Sequence, residues 1–237
     1  MTLPVAILAG GLATRLRPIT ESIPKVLVEV AGRPFAVHQL ELLRLHGFDR
    51  VVFCVGHLGE MVEASLGDGR LWGMKISYVY DGPVLLGTGG ALRNALPMLG
   101  DAFMVLYGDS YLECDYKAAE EAFLASGKLG LMTLFRNINR WGCSNVLYRN
   151  GRIERYDKRC PTPYMEHIDY GLGALRAKAF DSYPPSAAID LADIYRDLLT
   201  VGQLEGFEIT KRFYEIGSPD GLEETRRYLT NRSQDKL

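Results

Sequence analysis

The 237 residues carry 27 Lys and Arg against 29 Asp and Glu, a formal net charge of −2, with 47% apolar and 24% charged residues. That balance fits an ordinary globular chain long enough to bury a sizeable core. It excludes a polybasic nucleic-acid coat or membrane-surface binder, so any phosphate-binding surface must be local. No apolar run approaches the ~18 residues of a membrane span. The first nine residues lack the basic start of a signal peptide, which predicts a cytoplasmic location. The cysteines, Cys54, Cys114, Cys143 and Cys160, have no metal or redox spacing and read as free thiols.

In chain order, the apolar run Val5-Ala-Ile-Leu8 predicts a buried strand stopped by Ala9-Gly10-Gly11. A helix follows from Pro34, at its first position, to His46, with Gly47 as its stop. Val51 to Val55 is a strand, Gly59 to Leu66 a helix and Lys75 to Tyr80 a strand. Gly87-Thr-Gly-Gly90 opens a helix through Leu99. Phe103 to Tyr107 is a strand ending at Gly108-Asp109, Tyr116 to Ala125 a helix and Leu129 to Phe135 a strand. This alternation predicts a doubly wound, mostly parallel sheet. Asn150-Gly151 between Ser144–Tyr148 and Arg152–Asp157 then signals a hairpin. Ile168 to Leu175 is a strand, Ala188 to Leu199 a helix with Asp190 near its start, and Phe213 to Ile216 a short strand. Ser218-Pro219 caps a last helix through Leu229, and Asn231 to Leu237 reads as a polar tail. No linker or repeat interrupts the pattern, which predicts one domain over residues 1–237 with a β-rich insertion.

Ligands of open α/β sheets bind at the carboxyl ends of the strands, and three turns there carry chemistry. Leu8-Ala-Gly-Gly-Leu-Ala-Thr-Arg-Leu-Arg-Pro18, with Pro24-Lys25 after it, combines glycines that admit a phosphate with three cations, Arg15, Arg17 and Lys25. It is neither a P-loop nor the dinucleotide fingerprint. Leu86-Gly-Thr-Gly-Gly-Ala-Leu92 puts a helix N-terminus at the second turn; alone, it reads as a glycine turn entering a helix. Asp109, ending a buried strand, offers hard oxygens suited to Mg²⁺; alone, it reads as a turn aspartate. The histidines, Trp72 and Trp141 have no ligand spacing and read as packing or surface residues. Tyr148, Tyr156, Tyr164 and Tyr170 fit either a sugar pocket or cross-strand packing.

The chain resembles the sugar-1-phosphate nucleotidyltransferases. The family's L-A-G-G-x-G/A-T-R-L-x-P-x-T and P-K are matched by Leu8 to Thr20 and Pro24-Lys25, its L-G-T-G/A-G-A by Leu86 to Ala91, and its G-D by Gly108-Asp109. Looser matches are Ile153-Glu-Arg-Tyr-Asp-Lys158 and Glu215-Ile-Gly-Ser-Pro219. Among single-domain members it is most similar to heptose-1-phosphate guanylyltransferases and N-acetylmuramate-1-phosphate uridylyltransferases, with a lean to the first. The resemblance implies a Rossmann-like three-layer α/β core, a mostly parallel sheet and a β-rich sugar-binding insertion. It implies that NTP and a sugar 1-phosphate give an NDP-sugar and pyrophosphate with Mg²⁺ as cofactor, without nucleic-acid or membrane partners; a homo-oligomer is left open. It implies catalytic roles for Arg15 and Lys25, and nucleotide contacts from Leu8, Gly10, Gly11, Thr14, Gly87, Gly89, Gly90 and Asp109. Gly108, Asp157, Lys158 and Gly171 would hold the sugar phosphate, and Asp109 and Glu215 the metal. The chain departs from the family at Glu215, where aspartate is usual, and at Asp157-Lys158, where Glu-Lys is usual. Two other readings stand beside this one: transfer to a non-sugar phosphate, and a catalytically weak binder of nucleotide sugars.

Overall fold

The computed structural model describes residues 2–184 and 187–234. In chain order the strands and helices are β1 (Val5–Ala9), β2 (Glu29–Val30), β3 (Arg33–Pro34), α1 (Phe35–Leu45), β4 (Arg50–Val55), α2 (Gly59–Leu66), β5 (Lys75–Tyr80), α3 (Gly87–Leu99), β6 (Ala102–Tyr107) and β7 (Ser110–Leu112). They continue as α4 (Tyr116–Ser126), β8 (Gly130–Arg136), β9 (Val146–Arg149), β10 (Arg152–Tyr156), β11 (His167–Arg176), α5 (Leu191–Thr200), β12 (Leu204–Ile209), β13 (Phe213–Glu215) and α6 (Pro219–Gln234).

Strands β6, β1, β4 and β5 run parallel side by side. On the far side of β6 lies β11, antiparallel, then β8, also antiparallel to β11, and then β12, parallel to β8. The β9–β10 hairpin joins this sheet at the start of β11. Side-chain alternation along each strand builds the two faces. Val5 and Ile7 of β1 pack with α1, α2 and α4, whereas Ala6 faces α3 and α5. The result is the three-layer α/β core with a largely parallel sheet that the alternating pattern predicts. No helix among the described residues is long and apolar enough to cross a membrane.

Several boundaries move for local reasons. Pro34 is extended (ψ 138°) and paired in β3, so α1 begins at Phe35. The helix predicted from Ala188 starts at Leu191, because Asp190 accepts the Ala192 N–H at 2.9 Å and fixes the cap there. The last helix runs to Gln234, five residues past Leu229, and residues 235–237 of the predicted tail lie outside the described residues. Strand β12 has no counterpart in the sequence reading. Its Gly206 breaks the apolar pattern because a Cβ there would lie 2.8 Å from the Tyr148 ring. The four cysteines are free. His38 is buried against the Val30 carbonyl, and Trp141 packs on Phe135 and the Arg212 guanidinium.

Gly108 sets how closely β6 can end beside β1. Its N–H donates to Leu8 O at 3.1 Å, and a Cβ there would fall 2.3 Å from the same oxygen. Gly108→Ala should therefore push the two strand ends apart, destabilising the fold by about 1–3 kcal/mol. Urea denaturation measures this; an unchanged midpoint would show that the backbone shifts at no cost.

Candidate active site

The ends of β1, β5 and β6 and the wall from α3 to residue 190 enclose a cavity of about 350 Å³. Leu8, Gly10, Gly11, Lys25, Gly108 and Asp109 line it, as do Gly87 and Lys158. Eight of the residues singled out from sequence thus line one cavity. Gly10 and Gly56 pass each other closely, since a Cβ on Gly56 would lie 2.8 Å from Gly10 O, whereas Gly11 faces open space. Thr14 is exposed at the start of a short 3-10 turn and does not line the cavity.

Lys25 Nζ donates to Asp109 Oδ2 at 2.7 Å. Burial alone would raise the Asp109 pKa; the Lys25 ammonium, with Arg15 assisting, outweighs it and holds the carboxyl below its ordinary value. The second carboxylate arrives by strand pairing. β13 lies antiparallel to β7 with Glu215 opposite Ser110, and Ile216 N–H donates to Asp109 O at 2.9 Å. Gly217 completes the approach. A Cβ there would meet Glu215 Oε2 at 2.7 Å and both Asp109 Oδ2 and Arg15 Nη2 at 3.0 Å. Two carboxylates and a guanidinium thus converge on one small space that only glycine leaves open; the two carboxylates offer hard oxygens suited to a divalent cation, and the guanidinium suits an anion beside it. In the structure Glu215 also closes its own turn: Oε2 accepts the Gly217 N–H and Oε1 the Ser218 hydroxyl at 2.5 Å.

The glycine-rich turn is organised differently from the expectation. Gly89 and Gly90 both donate their N–H to Ile189 O, at 2.8 and 3.2 Å, and both are buried beneath that segment. A Cβ on Gly90 would lie 2.6 Å from Ala187 O, so these two glycines allow close packing and do not line the cavity. Gly87 (φ +72°) and Thr88 do line it, and Thr88 Oγ1 donates to Asp190 Oδ1 at 3.1 Å. Asp81, at the end of β5, was not anticipated. It borders Gly10 and accepts the Leu86 N–H at 3.3 Å, and burial raises its pKa against that bond.

Lys158, two residues past the end of β10, lines the same cavity as the Gly10-Gly11 turn. It is paired with Asp169 at 3.3 Å and lies beside the rings of Tyr107 and Tyr156. Burial would lower its pKa, but Asp169 and Tyr156 together outweigh it and the net direction is upward. Asp157 points elsewhere: its carboxylate accepts the Arg159 and Cys160 N–H groups and caps its own turn. Gly171 (φ +95°) spends its N–H on Asp169 Oδ1 at 3.1 Å and does not line the cavity. Asp169 was missed from sequence, although a lone carboxylate inside the apolar run Ile168 to Leu175 was a usable signal.

The sequence profile of the family described as Nucleotidyl transferase matches residues 5–145. A UTP–glucose-1-phosphate uridylyltransferase of Synechocystis sp. is 36% identical over 217 residues, covering 83% of this chain and 55% of that protein. An N-acetylmuramate alpha-1-phosphate uridylyltransferase of Neisseria meningitidis serogroup B is 40% identical over 226 residues, 93% of this chain and 95% of that protein. The chain therefore spans about half of the first and nearly all of the second. The crystal structure of HddC from Yersinia pseudotuberculosis superposes with a TM-score of 0.79 at 26% identity, over 97% of this chain and 100% of that one; HddC has also been solved complexed with GMP-PN.

The Lys25–Asp109 pair predicts an acid-dependent stability term. A carboxyl whose folded pKa is depressed stabilises the fold above its unfolded pKa, about 3.9, and that contribution is lost as pH falls through the folded pKa. The stability difference between wild type and Asp109→Asn, from urea melts, should be flat near neutrality and shrink below about pH 4. A difference that stays constant into strong acid would remove the pair from the charge balance.

Proposed function

The chain belongs to the nucleotidyl transferase family, and on that premise we propose that it joins a sugar 1-phosphate to a nucleoside triphosphate, releasing pyrophosphate. The observation that carries this reading is the single cavity in which the Gly10-Gly11 turn, the Lys25–Asp109 pair and Lys158 face one another. An oxygen of the acceptor phosphate attacks the α-phosphorus while pyrophosphate departs in line, so the protein's contribution is positioning and charge neutralisation. The Gly10-Gly11 turn cradles the triphosphate, and Gly87 and Thr88 flank the nucleoside. Arg15 meets charge growing on the departing phosphates. Lys25 reaches the α-phosphoryl oxygens, and Lys158 holds the acceptor phosphate.

Asp109 and Glu215 would hold a divalent cation, Mg²⁺ first. Held there, such an ion would supply positive charge against the charge developing on the phosphates. The convergence of both carboxylates on Gly217 supports this assignment.

In the pairing of heptose 1-phosphate with GTP, the guanine nucleotide draws support from the complex of HddC with GMP-PN. A second reading, UTP with N-acetylmuramate 1-phosphate, is favoured by the 40% identity over nearly the whole of both chains. Pyrophosphate release across four NTPs and a panel of sugar 1-phosphates, with phosphocholine as a non-sugar control, decides among these. Release with phosphocholine alone, or NTP binding without release, would overturn the sugar-transfer reading.

Three variants test the roles. Arg15→Ala and Lys25→Ala should each lower kcat by roughly 100-fold or more, because preorganised cations lower the barrier; a change confined to KM would make them ground-state binders. Lys158→Ala should raise KM for the sugar 1-phosphate about tenfold and leave KM for the NTP within about twofold. Equal losses for both substrates would move Lys158 to the shared phosphates.

A further inference from the structure

Asp169 lies in β11 at a break in its register with β8, and only 3% of its side chain is exposed. A carboxylate buried to that degree persists only where its charge and lone pairs are matched. Tyr107 donates to Oδ2 at 2.7 Å and Tyr156 at 3.2 Å, and Lys158 Nζ lies 3.3 Å from the same oxygen. Oδ1 accepts the Gly171 N–H at 3.1 Å. Asn145 adds a fifth tie, since its side-chain oxygen accepts the Asp169 N–H at 3.1 Å. Both oxygens are thus engaged from within the protein, and Asp169 is not among the residues lining the cavity.

Lys158 and Tyr107 are the members of this cluster that line the cavity, and Lys158 carries the charge there. It donates to the Tyr107 hydroxyl at 3.3 Å, and its ammonium sits 5.1 Å and 5.8 Å from the ring centroids of Tyr107 and Tyr156. An ammonium has three donors; Asp169, Tyr107 and Tyr156 face them in the resting protein, so an acceptor phosphate would take the place of a phenol. A free lysine side chain samples many rotamers, and binding a phosphate would freeze them. Here the freezing is done in advance by the carboxylate behind it.

We propose that Asp169 is a positioning residue for the transfer reaction: it fixes Lys158 against Tyr107 and Tyr156 so that the ammonium meets the acceptor phosphate in one orientation. The inference rests on the acceptor-phosphate role given to Lys158 above. The negative charge of Asp169 also weakens the lysine's pull on an anion, so positioning and masking predict opposite signs when Asp169 is neutralised. That opposition makes the idea testable.

Asp169→Asn keeps the side-chain volume and an acceptor for the tyrosines while removing the charge that anchors Lys158. Steady-state kinetics would be measured for wild type, Asp169→Asn, Lys158→Ala and the double variant, with thermal melts as a control for folding. Positioning predicts that Asp169→Asn raises KM for the sugar 1-phosphate about tenfold, leaves KM for the NTP within about twofold, and adds no further loss once Lys158 is alanine. A purely structural role would make the two losses add, and charge masking would lower the acceptor KM; either result overturns the proposal. If Lys158→Ala leaves the acceptor KM unchanged, the role of Lys158 itself fails, and the proposal falls with it for a distinguishable reason. Should Asp169→Asn fail to fold, Tyr156→Phe enters the same cycle. It removes one donor from Oδ2 and should raise the acceptor KM by about two- to threefold, again only while Lys158 is present.

Discussion

A carboxylate at the end of a buried strand must find cations, and much of this site follows from that requirement. Asp109 closes β6 between Lys25, from the segment after the first glycine turn, and Arg15, from the turn itself. The ion pair therefore ties the phosphate-type loop to the strand beside it, while Gly108 lets β6 and β1 end in contact. β13 then brings Glu215 to the same place by pairing with β7. Opposed charges that hold one another in the resting protein are also charges available to a polyphosphate, which is a reasonable way to keep a highly charged site stable when empty.

The second buried carboxylate meets a similar requirement with different partners. Asp169 is buried much more deeply than Asp109 and is matched by two phenols and one ammonium instead of two cations. Tyr107 connects the two arrangements, since it precedes Gly108-Asp109 in the chain and contacts both Asp169 and Lys158. The two anionic centres are thus linked through the last residue of one strand.

Much of the parallel half was legible because its signals are local. Short strand-like runs located β1, β4, β5 and β6, two of them stopped by glycines, and the Gly-Gly, Pro-Lys and Gly-Asp motifs located residues that line the cavity. What was not legible depended on partners distant in sequence. Gly89 and Gly90 looked like ligand contacts until the segment at 187–189 was seen to cover them, about a hundred residues away. β12 was hidden because its pairing with β8 and a glycine forced by Tyr148 erase the alternation that marks a strand. Asp157 fell at the family's offset, yet its own turn consumes it.

The short β13–β7 ladder has a consequence for assembly. Three residue pairs hold together segments separated by about a hundred residues, and Glu215 also anchors the start of α6 through Ser218 and Thr225. Such a long closure is entropically costly, and it can form only after the chain beyond β12 has been made. During synthesis the parallel half and its glycine turn can exist before the second carboxylate arrives. A ligand that bridges Asp109 and Glu215 would then act as a clasp on the C-terminal helix, transferring its binding free energy to the docking of the last segment to join the fold.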